Sequence, residues 1–258
     1  MTERTINMKW DMANRIVEQI PLNGFPNHML IIPDGNGRWA DRKSMHPSFG
    51  HMKGTEVLSE VLDYMQRLPI KFVSVWGFAS DNWKRSAQEI QFLMEIFDKE
   101  LTTMNPEFMQ KNVRFIHLGR KDRIPDYLRE TIGKAEDITR MNTGQVFSLA
   151  IDFGGEDQLV RIVRAALSRN LKEIEITPGV IQKLRDAHGE IPPADLIIRT
   201  SGEQRTSDIG WLGNNSEFYS IKKLLPDTGV DDFVQALLDF SKRERRFGGR
   251  TKQLTQIE

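Results

Sequence analysis

The sequence predicts an α/β domain built on a central, mostly parallel sheet, and three observations carry that prediction. Short apolar runs of strand character alternate with stretches of helical period along the chain. Such alternation feeds parallel pairing through right-handed crossovers. No proline-rich linker and no internal repeat divides the 258 residues, a length that supports one large domain with a full core. The segments that follow the strand candidates are rich in glycine, arginine and acids, and ligands bind beyond the carboxyl ends of strands in such sheets.

The elements follow in order. MLII (29–32) is a short buried strand stopped by Pro33. GTEVLSEVLDYMQRL (54–68) places Val57, Leu58, Val61, Leu62 and Met65 on one helical stripe. FVSVWGF (72–78) is a strand. SAQEIQFLMEIFDKEL (86–101) is a helix with Ser86 as N-cap and Glu89 three residues on, the pattern of a capping box. VRFIHLG (113–119) is a strand, and IPDYLRETIGKAEDIT (124–139) a helix with a glycine inside it. QVFSLAIDFGG (145–155) is a strand that breaks at paired glycines, followed by an amphipathic helix over 156–170 and a shorter one over 178–188. ADLIIRTSG (194–202) is a strand ending in a polar loop, SEFYS (216–220) a further strand candidate, and 231–247 the last helix.

Composition narrows the function classes. Lys+Arg and Asp+Glu are both 36, so no global basic field favours nucleic acid. Any anion site must be a local cluster. Cysteine is absent, which removes disulfides, thiolate metal sites and a cysteine nucleophile. The first twenty residues scatter charge and lack the apolar segment of a signal peptide. No apolar run approaches the ~18 residues of a membrane span. A cytoplasmic protein is the expectation.

The strand-end loops carry the chemistry. Asp34-Gly35-Asn36-Gly37-Arg38 can open a helix whose backbone N–H groups approach an anion, with Arg38 adding a fork of donors for phosphate oxygens. Asp34 would repel a bare phosphate, but with Mg²⁺ between them it becomes a ligand. The same residues also suit a surface turn with a chance ion pair. Arg199 and Arg205 flank Thr-Ser-Gly-Glu-Gln with Ser207 just beyond, a set suited to a second diphosphate or to ion pairs with Glu203. Glu217 is a second candidate metal ligand or a solvent-facing strand residue. His51 can donate to phosphate or cap a helix, and Asn82 and Arg85 lie in a strand-end loop beside Trp83, which suits a core position equally. Phe92, Met94, Phe97 and Leu101 form a buried helix face, as core or as the wall of an apolar tunnel. Two diphosphate sites, a metal carboxylate and no evident nucleophile point to a transferase driven by electrostatic stabilisation of a departing diphosphate.

The motifs IIPDGNGRWA, FGH (49–51), FASDNWKR (78–85), NTGQVFSLAIDFGG (142–155), DLIIRTSGEQR (195–205), SEFY (216–219) and RERRFGG (243–249) come in the order of the cis-prenyltransferase family, which the sequence resembles from His28 to Gly249. The resemblance implies an apolar tunnel beside a parallel sheet, and a chain divided into an N-terminal helix or arm (1–27), a catalytic domain (28–249) and a C-terminal tail (250–258). It implies transfer of an allylic prenyl group to isopentenyl diphosphate with Z geometry. It makes Asp34 the essential Mg²⁺ ligand and Glu217 the second metal carboxylate. Gly35, Asn36, Gly37, Arg38 and His51 would hold the allylic diphosphate, with Trp39 in the same motif. Asn82 would serve proton removal by orienting the proton, since an amide is a poor base. Ser80, Asp81, Trp83 and Arg85 would line the site, and Arg199, Arg205 and Ser207 would hold isopentenyl diphosphate. Arg246 and Gly248 belong to a tail that reaches a partner's site, which implies a homodimer. A long product would bring peripheral contact with a membrane.

Several positions depart from the family pattern: Pro33 for methionine, Pro47 for an arginine, Asp152-Phe153 for Asn-Tyr, Glu156 for arginine, and a shorter, more polar loop over 208–215. All lie near the expected substrates. They leave open a specialised member making short, irregular head-to-middle or cyclised products. A non-catalytic heterodimer subunit is the other alternative, and retention of Asp34, Asn82, Arg199, Arg205 and Glu217 weighs against it. A nucleotide-binding module has no Walker or Gly-x-Gly-x-x-Gly motif to support it.

Overall fold

The computed structural model describes residues 9–249; the first eight residues and the expected tail over 250–258 lie outside the described residues. Six strands form one sheet in the order β3-β4-β2-β1-β5-β6, and every pairing is parallel. The strands are β1 (His28–Ile32), β2 (Phe72–Ala79), β3 (Arg114–Leu118), β4 (Val146–Phe153), β5 (Leu196–Arg199) and β6 (Glu217–Ser220). Around them, among the described residues, run α1 (Asp11–Val17), α2 (Asn36–Arg42), α3 (Pro47–Met65), α4 (Ala87–Gln110), α5 (Asp126–Thr139), α6 (Gly155–Ser168), α7 (Pro178–Leu184) and α8 (Val230–Ser241).

The central strands are apolar without alternation because both sheet faces are covered. All five residues of β1 and all eight of β4 are buried. Met29 and Ile31 pack into one core with α1, α3, α4, α5 and α8, while Leu30 and Ile32 enter a second core on the opposite face with Trp76, Phe153, Ile209, Trp211 and Leu212. The loop over 208–215 reads as polar, yet three of its residues fill this second core. A polar chain crosses the sheet where His28 Nε2 lies 2.7 Å from Ser74 Oγ, itself bonded to Ser148 Oγ.

The expected elements all form, and the differences lie at their ends. Helix α3 starts at Pro47 rather than at 54. His46 is its N-cap, and a proline at the first helical position loses no intrahelical bond. That is the structural use of the residue standing where the family has arginine. Helix α4 extends to Gln110, well past 101, through a polar TTMNP stretch. Its capping box is half formed. Ser86 Oγ accepts from the Glu89 N–H, but the Glu89 carboxylate turns to His51 and Arg85 instead. Helix α8 ends at Ser241, not 247, because the arginines that follow turn back onto the sheet edge, Arg243 to Glu217 and Asp239 and Arg245 to Asp195.

Candidate active site

The chain leaves β1 in one direction, towards β2, and returns to pair β5 on the other side of β1. This reversal opens a crevice at the carboxyl ends of β1 and β5, the place where open parallel sheets bind ligands. Asp34 follows β1, and Arg199 ends β5. Thr200 joins the two loops, its hydroxyl accepting from the Asp34 N–H at 2.7 Å and donating to the Asp34 carbonyl at 2.6 Å. Gly35 then adopts φ 106°, and a Cβ there would overlap Ser201 Oγ and crowd Leu224. Only glycine makes this turn without strain. It launches α2, whose Gly37 faces open space, with no atom within 4 Å of where a Cβ would stand.

Charge converges on Asp34. Arg38 Nη2 and Arg199 Nη2 each donate to it at 3.0 Å, one to each carboxylate oxygen. Burial pushes the Asp34 carboxyl up, but hydrogen bonds from Arg199 and Arg38 and their charges outweigh it and hold the group below the usual carboxylate range. Arg199 is 7% exposed and also donates to Ser207 Oγ at 2.8 Å and to the Arg205 carbonyl at 2.6 Å, while its Nε is buried without a partner. Arg38 reaches Glu203 Oε1 at 2.9 Å, and Glu203 also pairs with Arg205. A second polar group faces these from α3 and α4. His51 Nε2 lies 3.2 Å from Glu89 Oε1, which takes Arg85 at 2.9 Å. Burial holds the His51 pKa below its ordinary value despite Glu89. Asn82 Oδ1 accepts from the Ala79 N–H at 3.0 Å, which occupies its carbonyl and leaves the amide donors for a ligand.

These groups rim a cavity of about 1120 Å³. Asp34, Gly35, Asn36, Gly37, Arg38, His51, Ser80, Asp81, Asn82, Arg85, Arg199 and Ser207 all line it, so twelve of the expected site residues meet in one place. Beneath the polar rim the cavity becomes an apolar cleft. Leu58 and Leu62 of α3 form one wall, Leu93, Phe97 and Leu101 of α4 the other, and Val75, Phe147 and Leu149 the floor. Of the four helix-face residues read as core or tunnel, Phe97 and Leu101 line the cleft, while Phe92 and Met94 do not.

The remaining expected residues lie elsewhere. Trp39 donates to Asp227 at 2.7 Å, with Lys43 over its ring. Trp83 packs edge-on against Phe78 and donates to Asp152 at 2.9 Å, so it supports the loop from behind rather than lining the cavity. Arg205 is largely exposed at the rim. Glu217 is in register with Leu196 at the amino end of β5, and its carboxylate pairs with Arg243 at 3.0 Å. Within one chain, the two carboxylates expected to bind metal stand at opposite ends of the sheet. Arg246 pairs with Glu244 at the surface, and Gly248 takes φ 81° near the described end.

Three lining groups were given no place in the site by the sequence. Arg123, after β3, forks onto the buried Asp152 carboxylate, which sits at φ 54° and holds Trp83 and Ser80 as well. Asp208 accepts from the Glu156 N–H at 3.2 Å, so the start of α6 carries a protein carboxylate. Glu89 was legible only as a cap. No group of three His, Cys, Asp or Glu side chains forms a metal cage among the described residues. A single carboxylate suffices for Mg²⁺ when phosphate oxygens complete the shell, and Asp34 at the cavity rim offers one, while the buried, unpartnered Arg199 Nε–H is a donor suited to phosphate.

Residues 32–248 match the model of the undecaprenyl diphosphate synthase family. The chain belongs to this family. Membership makes it an enzyme of the prenyltransferase type. It is 33% identical over 240 residues to an isoprenyl transferase of Bacillus cereus, covering 92% of this chain and 93% of that one. It is 34% identical to dehydrodolichyl diphosphate synthase 2 of Arabidopsis thaliana over 90% of this chain and 77% of that one. Among solved structures, lavandulyl diphosphate synthase from Lavandula x intermedia, in complex with dimethylallyl diphosphate, superposes with TM-score 0.83 at 32% identity. That match covers 88% of this chain and 99% of the other. A Campylobacter jejuni structure of the family, at 24% identity and TM-score 0.71, shares the fold over 86% of this chain and 98% of its own.

Proposed function

We propose that the enzyme transfers an allylic prenyl group to isopentenyl diphosphate with Z geometry, in a Mg²⁺-dependent reaction. One observation carries this reading: a single carboxylate, Asp34, is shared by Arg38 and Arg199 at the mouth of an apolar cleft. Two arginines held by one acid are poised to exchange it for two diphosphates. Arg38, the backbone at Gly37 and His51 hold the allylic diphosphate, whose hydrocarbon tail enters the cleft. Arg199, Ser207 and Arg205 hold isopentenyl diphosphate. Asp34 would hold Mg²⁺, which when bound would supply positive charge to offset the charge building on the leaving group. The terminal double bond of isopentenyl diphosphate attacks C1 of the allylic partner, the C1–O bond breaks, and diphosphate departs. The amide donors of Asn82 hold the acceptor diphosphate so that one of its oxygens receives the C2 proton.

The reading includes a cytoplasmic homodimer. An exposed apolar stripe on α6, with Leu159, Val163 and Leu167 each at least half exposed, supports self-association. The partner's site would be completed by the tail around Arg246 and Gly248, and Glu217 would serve metal from the neighbouring copy or remain with Arg243. No described helix is long and apolar enough to cross a membrane.

A second reading, head-to-middle coupling of two allylic diphosphates, draws on the likeness to lavandulyl diphosphate synthase together with Pro33, and the retained Asn36-Gly37-Arg38 and Gly202-Glu203-Gln204-Arg205 weigh against it. One assay separates the two. Purified enzyme, Mg²⁺ and dimethylallyl, geranyl or farnesyl diphosphate are incubated with and without isopentenyl diphosphate, and products are identified by mass and chromatography. Elongation predicts products that require isopentenyl diphosphate. Products from the allylic diphosphate alone would refute it and favour coupling or cyclisation.

A further inference from the structure

Helix α4 runs back along the sheet from the strands' carboxyl ends, so each turn of it lies deeper in the cleft. Glu89 stands at the mouth beside His51 and Arg85, and Leu93, Ile96, Phe97, Glu100, Leu101 and, one turn further, Met104 follow down the same lining. Glu100 breaks the pattern. The other charged residues of the described lining belong to the loops and helix starts at the strand ends. Glu100 instead stands among apolar side chains, over a floor that reaches Phe147 near the amino end of β4. It makes no hydrogen bond or ion pair with any described residue. Burial raises its carboxyl above the usual range, only partly offset by the neighbouring Lys99.

A hydrocarbon tail sliding over an unpaired carboxyl would strip its water and return no hydrogen bond. Growth past that level is therefore opposed, whereas growth up to it is rewarded by contact with Leu93, Ile96 and Phe97. The depth can be measured twice. From Glu89 to Glu100 is eleven residues of helix, about 16 Å. From Phe153 at the rim to Phe147 is six residues of strand, about 20 Å. An isoprene unit adds four main-chain carbons, about 5 Å when extended at ~1.5 Å per bond.

We propose that Glu100 is a specificity-determining residue that ends chain growth, so that the enzyme makes a short product of about three to four isoprene units. The proposal rests on the elongation reading above. Its test is the product distribution of wild-type enzyme, Glu100→Leu and Glu100→Gln with Mg²⁺, geranyl diphosphate and excess isopentenyl diphosphate. Leucine is a strong helix former, and the site is partly exposed, so the variant is expected to fold. Far-UV circular dichroism and an unchanged rate for the first condensation check this. Glu100→Leu should lengthen the main product by one isoprene unit or more. Glu100→Gln, which keeps a polar group, should lengthen it less. Identical product lengths for wild type and Glu100→Leu would overturn the assignment, as would a wild type that already makes long chains. If wild type incorporates no isopentenyl diphosphate, the elongation reading itself fails.

Discussion

Asp34, just after β1, and Arg199, the last residue of β5, are 165 residues apart, and their hydrogen bond is the link that makes two strand ends one site. Each residue type was legible in the sequence, because a carboxylate, a glycine turn and arginines after strands have few common uses. Their pairing was not, because it depends on β1 and β5 being neighbours. Arg205 tests the division of labour. Its side chain is exposed at the rim and, among the described residues, pairs with Glu203 alone, so truncating that side chain costs little stability. Losing a charge-assisted hydrogen bond of roughly 1.5–3 kcal/mol, Arg205→Ala should raise KM for isopentenyl diphosphate by about 10- to 100-fold and leave KM for the allylic partner within a few-fold. Equal changes in both would refute the assignment. Trp39 and Trp83 show the converse, since their motifs placed them at the site while their indoles bond to Asp227 and Asp152 outside the cavity.

Most element types and their order follow from hydrophobic period and its breaks, and the structure bears them out, while α2 was legible only from the Asp-Gly-Asn-Gly-Arg turn. Ends were harder, because they are set by partners distant in sequence. The stop of α8 at Ser241 depends on arginines that find acids on β6 and before β5. Helix α2 is the short element on which the site turns. It is launched by Gly35 and pressed on α3, where a Cβ at Gly50 or Gly54 would overlap Asn36. Gly35→Ala should therefore displace Arg38 and Gly37 as well as strain the turn. A loss of about 1–3 kcal/mol in denaturant unfolding is expected, with a fall in activity larger than the stability change explains. Full activity in Gly35→Ala would show that α2 does not need this turn.

The fold keeps two histidines neutral inside the sheet layer. Burial lowers His28 to about 4 despite a hydrogen bond at the Pro192 carbonyl, and lowers His117 to about 4 against the pull of Glu136. Both are depressed below the ordinary value of 6.5, so the unfolded chain binds more protons between those limits. Their contribution is complete above pH 6.5 and is lost as pH falls towards 4. Denaturant titrations should show stability falling by on the order of 2 kcal/mol per histidine between pH 7 and pH 5. A flat profile over that range would contradict the burial argument. Neither histidine was singled out by sequence, since a lone histidine in an apolar strand carries no signal of its partners. The cleft was likewise invisible in composition. The same helical stripe serves as core at Met94 and as cavity wall at Phe97, and the distance between α3 and α4 decides which.

The account stands or falls on Asp34 as the carboxylate that joins both diphosphates. Its most direct test is the single-turnover rate of Asp34→Asn with saturating allylic and isopentenyl diphosphates and Mg²⁺. Asparagine preserves shape and keeps one of the two acceptor oxygens, so it can still accept from one of the two arginines and the fold should persist. The rate should fall by at least ~10²-fold, with little recovery at high Mg²⁺. A folded Asp34→Asn enzyme with a near wild-type, Mg²⁺-dependent rate would contradict it.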